Sequence, residues 1–228
     1  MQTHTTRTQT ALIPDRPDLD LYLLAHRSMV ECSAALAQAV AEVAAEPSPP
    51  ARRIAALRRW YEGFADEILV HHHIEDVLMF PALAERISTY GEYGDHLAAD
   101  HADLDVVIEG LRAALAQGDF PEAQRYADEL RDHLDEHLGF ENAEIVPLFV
   151  RHFTPDELGA INEEAVKMTP GKQMLFTCPW LVSMLTPQER DHVFAEVPKA
   201  LEVVWWLTRR RYRRLASRAL GAAAPTRG

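Results

Sequence analysis

Residues 71–81 read His-His-His-Ile-Glu-Asp-Val-Leu-Met-Phe-Pro, and residues 137–147 read His-Leu-Gly-Phe-Glu-Asn-Ala-Glu-Ile-Val-Pro. At a constant offset of 66 residues, the two segments match at the first histidine, at the glutamate four residues later and at the final proline. Residues four apart on an α-helix project from one face, so each segment places an imidazole and a carboxylate within reach of one ion. The repeat therefore predicts two related helices that face a shared metal site.

The sequence on both sides of the repeat also indicates helices. Glycine is sparse, alanine and leucine are abundant, and hydrophobic residues recur at three- and four-residue steps rather than at every second position. The predicted long helices cover about residues 18–46, residues 51–87, a stretch from beyond Gly94 to residue 117, and residues 121–152. Four long helices with short connections predict an all-α fold, an antiparallel up-down-up-down four-helix bundle over residues 18–152.

A helical extension, residues 153–228, is expected to pack on this bundle. Thr154 and Thr186 are each followed by a proline and, three residues on, by a glutamate, which is the capping-box pattern at the start of a helix. Residues 168–185 contain two prolines among apolar residues, and we interpret them as a packed connection. The final helix is predicted from about residue 198 to residue 220.

Two further histidines complete the candidate site. His26 lies on the first predicted helix and His101 on the third, so each helix of the bundle offers one imidazole. The candidate metal ligands are His26, His71, Glu75, His101, His137 and Glu141. Imidazoles and carboxylates from facing helices suit two borderline ions such as iron, whereas zinc usually takes a smaller tetrahedral set.

A rival pair, His72 and Asp76, has the same four-residue spacing on the second helix. Adding the offset of 66 to these positions gives Leu138 and Asn142, which do not form a comparable pair. The repeat therefore favours the register that begins at His71. We interpret His72 as a surface residue or as one that contacts the ligands from outside.

Residues 18–152 resemble the hemerythrin family, which includes bacterial proteins with a His-His-Glu cation-binding domain. The resemblance rests on His26, on HxxxExxxxxP from His71, on Asp100-His101 and on HxxxE from His137. It implies two non-haem iron ions in an oxo- or hydroxo-bridged diiron centre. The ligand roles it implies are His26 and His71 on one ion, His101 and His137 on the other, and Glu75 and Glu141 as bridges.

The chain departs from the oxygen-carrying members of this family at two positions. Those members have an aspartate five residues after the last histidine, where this chain has Asn142, and Glu141 is expected to replace it. They also have a fifth histidine four residues before the counterpart of His101, where this chain has Leu97. The second departure predicts an open position on the ion of His101 and His137, and it favours reaction with peroxide over stable oxygen carriage. The alternative donors for that position are His96, His133 and Tyr22.

The distribution of charge bears on the partners of the protein. Residues 1–150 carry 11 Arg and Lys against 27 Asp and Glu, whereas residues 151–228 carry 12 against 8. An acidic main body argues against nucleic acid as a partner. The N-terminus is polar and no run of 18 uncharged apolar residues occurs, so we expect a cytoplasmic protein without a membrane span.

The last predicted helix combines Trp205, Trp206 and Tyr212 with six arginines between residues 209 and 218. The favoured interpretation is that its aromatic side chains pack on the acidic bundle while its arginines pair with acidic residues or face water. The alternative is a basic amphipathic helix that binds a membrane surface or an acidic partner.

Three classes of function stay open from the sequence. The first is a binding protein that takes up O₂ or NO for storage, delivery or sensing, as the family resemblance implies. The second is an enzyme that decomposes peroxide or reduces NO, and the third is an iron-storage or structural bundle without turnover. All but the third involve a small diatomic or peroxide ligand, and the fold alone does not choose among them.

Overall fold

The computed structural model describes residues 12–13 and 16–225, and the all-helical fold class is confirmed over this range. The helices are α1 (Asp20–Ala45), α2 (Ala51–Ile74), α3 (Phe80–Ala84), α4 (Gly91–Gln117), α5 (Phe120–Phe140), α6 (Val146–His152), α7 (Pro155–Met168), α8 (Gly171–Ser183), α9 (Pro187–Glu196) and α10 (Lys199–Leu220). No strand occurs among the described residues. None of the helices in this part of the chain has the length and apolar character needed to cross a membrane.

The long helices α1, α2, α4 and α5 pack into a closed ring. Helix α1 lies along α5, α5 lies along α4, and α2 contacts both α4 and α1. Apolar side chains bury α2 on two sides: Tyr61 faces α4, whereas Trp60 and Phe64 contact α10 and α8, and all three are fully buried. The Tyr61 hydroxyl donates a hydrogen bond to the carbonyl of Ile108 at 2.7 Å, which joins α2 to α4.

Each half of the sequence repeat contains a π turn. One covers Glu75–Met79 between α2 and α3, and the other covers Glu141–Ile145 between α5 and α6. Pro81 and Pro147 follow these turns. A proline has no N–H group to donate to the carbonyl four residues earlier, and in both cases that carbonyl lies inside the π turn. The two halves of the repeat are therefore alike in backbone conformation as well as in the spacing of their candidate ligands.

Capping residues define several helix ends. Gly118 ends α4 in the left-handed conformation, and the Asp119 side chain accepts a hydrogen bond at the start of α5. At Thr154 and Thr186 the threonine side chain accepts from the backbone N–H three residues on, and the glutamate there bonds back. Both predicted capping boxes are confirmed.

Two predictions of local structure were wrong. Residues 168–185 are not a connection, because most of them form α8, with Pro179 inside the helix. The fully buried Trp180 anchors this helix against the bundle, so packing overrides the proline. Gly94 lies inside α4 rather than before it, where the Tyr90 ring approaches its backbone closely.

The last helix places its aromatic side chains on different faces. Tyr212 is buried and its hydroxyl accepts a hydrogen bond from Trp60 Nε1 at 3.2 Å, whereas Trp206 is 61% exposed. Side chains six positions apart point about 120° apart on an α-helix, so Trp206 lies off the face on which Tyr212 packs. The prediction that the aromatic residues of this helix pack on the bundle therefore holds for Tyr212 and is wrong for Trp206.

Helices beyond residue 153 contact α1 and α2 at several points. Arg27 of α1 forms a salt bridge with Glu189 of α9 at 2.7 Å. Phe176 of α8 lies directly over Gly63 of α2, where a Cβ atom would be 2.3 Å from the aromatic ring. The contact therefore requires glycine at position 63. The division into a bundle over 18–152 and an extension over 153–228 stays a prediction.

Gly63→Ala is expected to lower the free energy of unfolding by about 1–3 kcal/mol, because the added methyl group displaces the Phe176 ring. The matched control is Gly159→Ala on α7, where nothing lies within 4 Å of the Cβ position. That change should stabilise the protein by up to about 1 kcal/mol through helix propensity. Urea unfolding followed by circular dichroism measures both, and equal stabilisation by the two substitutions would contradict the packing of α8 on α2.

Candidate metal centre

The six predicted ligands converge inside the ring of long helices. Their atoms form two groups in which one ligand atom per residue lies within 4.8 Å of the others. The first cluster consists of His26, His71, Glu75 and Glu141, and the second cluster consists of His72, Glu75, His101 and His137. All six predicted residues belong to one of these clusters, which could hold a metal ion each.

His72 is the member that the sequence interpretation missed. It is 3% exposed rather than on the surface, and its ring stacks on that of His101 with the centroids 4.1 Å apart. His71 and His72 precede Glu75 by four and three residues, and both positions share a helix face with it. The sequence repeat did not indicate a role for His72, because its counterpart is Leu138. Helix α2 therefore supplies two imidazoles, whereas α5 supplies one.

Glu75 and Glu141 lie between the clusters and have no exposed surface. One oxygen of each carboxylate is directed to the first cluster and the other oxygen to the second. The distances are 3.1 Å from Glu75 Oε1 to His71 Nε2, 3.6 Å from Glu75 Oε2 to His101 Nε2, 3.5 Å from Glu141 Oε2 to His26 Nε2 and 3.6 Å from Glu141 Oε1 to His137 Nε2. Each carboxylate is therefore placed to contact an ion in both clusters.

Several buried atoms of the clusters have no hydrogen-bond partner among the described residues. These atoms are Nδ1 and Nε2 of His72, Nε2 of His101, Nε2 of His137, Oε2 of Glu75 and Oε1 of Glu141. Buried polar atoms left unsatisfied are rare in proteins because each destabilises the fold. A cation among them would accept their lone pairs, so the residues present fit a bound metal ion.

The outward-facing nitrogens of three cluster histidines have hydrogen-bond partners. The pairs are His26 Nδ1 with Asn142 Oδ1 at 3.0 Å, His101 Nδ1 with Asp76 Oδ1 at 3.0 Å and His137 Nδ1 with Asp100 Oδ2 at 3.4 Å. An acceptor on Nδ1 keeps the proton there and leaves the Nε2 lone pair directed into the cluster. Asp76, considered from the sequence as part of a rival ligand pair, instead orients His101.

Burial favours the neutral, metal-binding form of three cluster histidines. It lowers the pKa of His26, it lowers the pKa of His72 well below the ordinary value, and it lowers the pKa of His137 to about 4. Burial also lowers the pKa of His71, but the negative charge of Glu75 more than compensates and raises it. Neutral imidazoles bind a cation without first releasing a proton.

The two carboxylates have opposite pKa shifts. Burial and the negative charge of Glu75 raise the pKa of Glu141 well above the ordinary value. Burial alone would also raise the pKa of Glu75, but the nearby His71 and a hydrogen bond from His26 bring it well below the ordinary value. The raised pKa favours the protonated form of Glu141, whereas a bound cation would favour its carboxylate form.

Tyr22 lies at the first cluster. Its hydroxyl donates a hydrogen bond to Glu75 Oε1 at 2.7 Å and is 3.4 Å from Glu141 Oε2. Burial and the negative charges of the two glutamates raise its pKa well above the ordinary value, so the phenol keeps its proton at neutral pH. From the sequence, Tyr22 was an alternative donor for the ion of His101 and His137, whereas the structure places it at the other cluster.

The remaining candidates do not enter the clusters. The His96 side chain is 49% exposed and lies 3.6 Å from Asp100 Oδ2, and His133 belongs to neither cluster. Leu97 is fully buried. The open position inferred from Leu97 at the second ion loses its basis, because His72 brings a third imidazole to that cluster.

Comparison with protein families gives one match. The family model described as the hemerythrin HHE cation binding domain matches residues 18–149, which is more than half of the chain and includes every residue of the two clusters. Comparisons with curated proteins and with solved structures find no match.

His72→Leu is expected to empty the second cluster of metal while the first cluster still binds an ion, because leucine removes one of the three imidazoles of the second cluster and leaves all four residues of the first. His73→Leu is the matched control, since His73 is the exposed neighbour on the same helix. Metal analysis after iron reconstitution measures the difference. Equal metal content in the two variants and the wild type would show that His72 is not a ligand.

Proposed function

Because the chain belongs to the hemerythrin family of HHE cation-binding domains, we propose that it holds two non-haem iron ions and binds or decomposes a small oxygen-containing ligand. The observation that carries this proposal is the pair of buried carboxylates, each with one oxygen directed to each cluster. Imidazole nitrogens combined with carboxylate oxygens suit iron.

The two ions would have different numbers of protein donors. The proposed ligands are His26 and His71 for the first ion, His72, His101 and His137 for the second, and Glu75 and Glu141 for both. The first ion then has four donors from the chain and the second has five. We therefore assign the open positions to the first ion, beside Tyr22, rather than to the second.

The activity we propose is decomposition of hydrogen peroxide, with NO and O₂ as further ligands of the same site. Bound iron would supply redox and Lewis-acid chemistry. The Tyr22 hydroxyl, which keeps its proton at neutral pH, lies at the first cluster and is positioned to donate that proton to a ligand there. Buried apolar residues next to the clusters, among them Leu97 and Phe149, exclude bulk water.

Reversible uptake of O₂ or NO is the second candidate function. It is favoured by His72, which raises the number of clustered imidazoles to five, the number expected of oxygen-carrying relatives. Stopped-flow mixing of the reduced protein with O₂ separates the candidates. A stable and reversible absorption change indicates a carrier or sensor, rapid irreversible oxidation indicates an enzyme, and slow oxidation without ligand binding indicates iron storage.

We also propose that α1, α2, α4 and α5 run up-down-up-down. Two apolar clusters lie on either side of the metal centre, one containing Leu19, Leu83, Leu97 and Phe149 and the other the large core. Helices α1 and α4 pass from the smaller cluster through the centre to the large core. Helices α2 and α5 pass through these regions in the reverse order, which supports alternating directions.

Glu75→Ala and Glu141→Ala are each expected to lose most of the iron from both clusters, because each removes one of the two carboxylates that would contact both ions. His96→Ala is the control and should keep the wild-type iron content, since its side chain is exposed and outside the clusters. Iron analysis together with visible absorption provides the measurement. Full iron content in either glutamate variant would contradict the bridging role.

Tyr22→Phe is expected to keep its iron but to decompose peroxide about 100-fold more slowly, a typical effect of removing a proton donor. Tyr93→Phe removes a hydroxyl from a tyrosine outside both clusters and should retain the wild-type rate. An oxygen electrode measures the rates. A wild-type rate in Tyr22→Phe would rule out the proton-donor role, and loss of iron would show that Tyr22 holds the metal instead.

A further inference from the structure

The extension contains a cavity of its own, which involves none of the proposed metal ligands. It has a volume of about 280 Å³ and is enclosed by α8, α9, α10 and residues 224–225. We call it the C-terminal cavity. Among the described residues, four arginines line it, namely Arg190, Arg209, Arg210 and Arg213, and no carboxylate does.

Most of these arginines have no carboxylate partner among the described residues. Arg190 has an exposed partner, Asp191, at 3.2 Å, whereas Arg209, Arg210 and Arg213 form no salt bridge with any described carboxylate. The Nε atom of Arg209 is buried and has no hydrogen-bond partner among the described residues. Several arginines outside the cavity form salt bridges, among them Arg27, Arg53, Arg86, Arg112, Arg125 and Arg131, whereas Arg52, Arg58 and Arg59 form none with the described carboxylates.

Apolar side chains form the rest of the cavity wall. The Trp205 ring lies beneath the Arg209 guanidinium, which is 4.7 Å from the ring centroid. Tyr212 adds a second ring, and its hydroxyl is already engaged by Trp60 at 3.2 Å. The polar recognition that remains comes mainly from guanidinium N–H donors, which match the oxygens of a phosphate or carboxylate in a fixed geometry.

We propose that the C-terminal cavity binds a small organic phosphate ester, with its phosphate on Arg209, Arg210 and Arg213 and its apolar body against Trp205. The several guanidinium groups favour a doubly charged phosphate monoester over a single carboxylate. The aromatic wall favours an ester over inorganic phosphate, because the apolar group of an ester gains contact with the apolar side chains of the cavity and inorganic phosphate does not. This binding goes beyond the function proposed for the metal centre.

Calorimetric titration of the full-length, iron-loaded protein with phenyl phosphate tests the proposal, with inorganic phosphate and phenol as comparison probes. We expect one phenyl phosphate to bind per chain. Its dissociation constant should be at least about 10-fold lower than that of inorganic phosphate or phenol, because each comparison probe has only one of the two groups that the cavity contacts. Comparable binding of phenyl phosphate and inorganic phosphate would overturn the role of the apolar wall. Absence of phenyl phosphate binding would overturn the proposal.

Two double variants, each of which removes two positive charges, separate specific binding in the cavity from general charge attraction. Arg209→Gln combined with Arg213→Gln should weaken phenyl phosphate binding at least about 10-fold. Arg211→Gln combined with Arg214→Gln is the matched control, because these residues lie on the same helix outside the cavity. Equal weakening by both pairs would indicate unspecific charge attraction and overturn the site. If the first pair fails to fold, Arg210→Gln alone, on an exposed side chain, serves the same comparison.

A phosphate group can also come from a lipid. Sedimentation with phosphatidylglycerol vesicles and with phosphatidylcholine vesicles distinguishes this source, because Val203, Trp206 and Leu207 of α10 are exposed. We expect phenyl phosphate to bind in solution and the cavity variants to leave any vesicle binding unchanged. Vesicle binding that depends on Arg209 and Arg213, without binding of phenyl phosphate, would overturn the assignment to a soluble ester.

Discussion

Two carboxylates without any solvent exposure, Glu75 and Glu141, set the conditions for the rest of this structure. A buried negative charge is strongly destabilising unless cationic or hydrogen-bonding groups compensate for it. Five imidazoles from four helices and the Tyr22 hydroxyl converge on these carboxylates. The register of each long helix is therefore restricted, because a rotation of any one of them would withdraw a partner from the carboxylate pair.

Much of this arrangement could be predicted from the sequence, because helical spacing converts directly into side-chain direction. The six predicted residues came from the His-to-Glu spacing and from one histidine on each remaining helix. His72 was missed because the repeat was taken to mean equivalent helices, whereas a single face of α2 accommodates both His71 and His72. The π turns and α8 were missed because they depend on tertiary packing, which can stabilise a backbone that local propensity disfavours.

The charges at the contacts between the bundle and the extension do not simply follow the net charges of these two segments. The acidic bundle and the basic extension do meet, through Arg27 with Glu189 at 2.7 Å and through His192 with Asp20 at 2.8 Å. In the first of these pairs, however, the bundle supplies the cation and the extension supplies the carboxylate. The arginines of the last helix do not neutralise the bundle, and several are instead left around a cavity of their own.

Gly63 has a consequence for the comparison of related chains. The residue belongs to α2, inside the range of the family match, yet its lack of a side chain is explained by the Phe176 ring from α8, outside that range. The residue type at this position of the shared domain is thus explained by a contact with the segment that follows the domain. In a relative, an alanine or larger residue at this position would have to displace the aromatic ring of an extension seated in this way, so the residue at this position bears on whether such an extension is present.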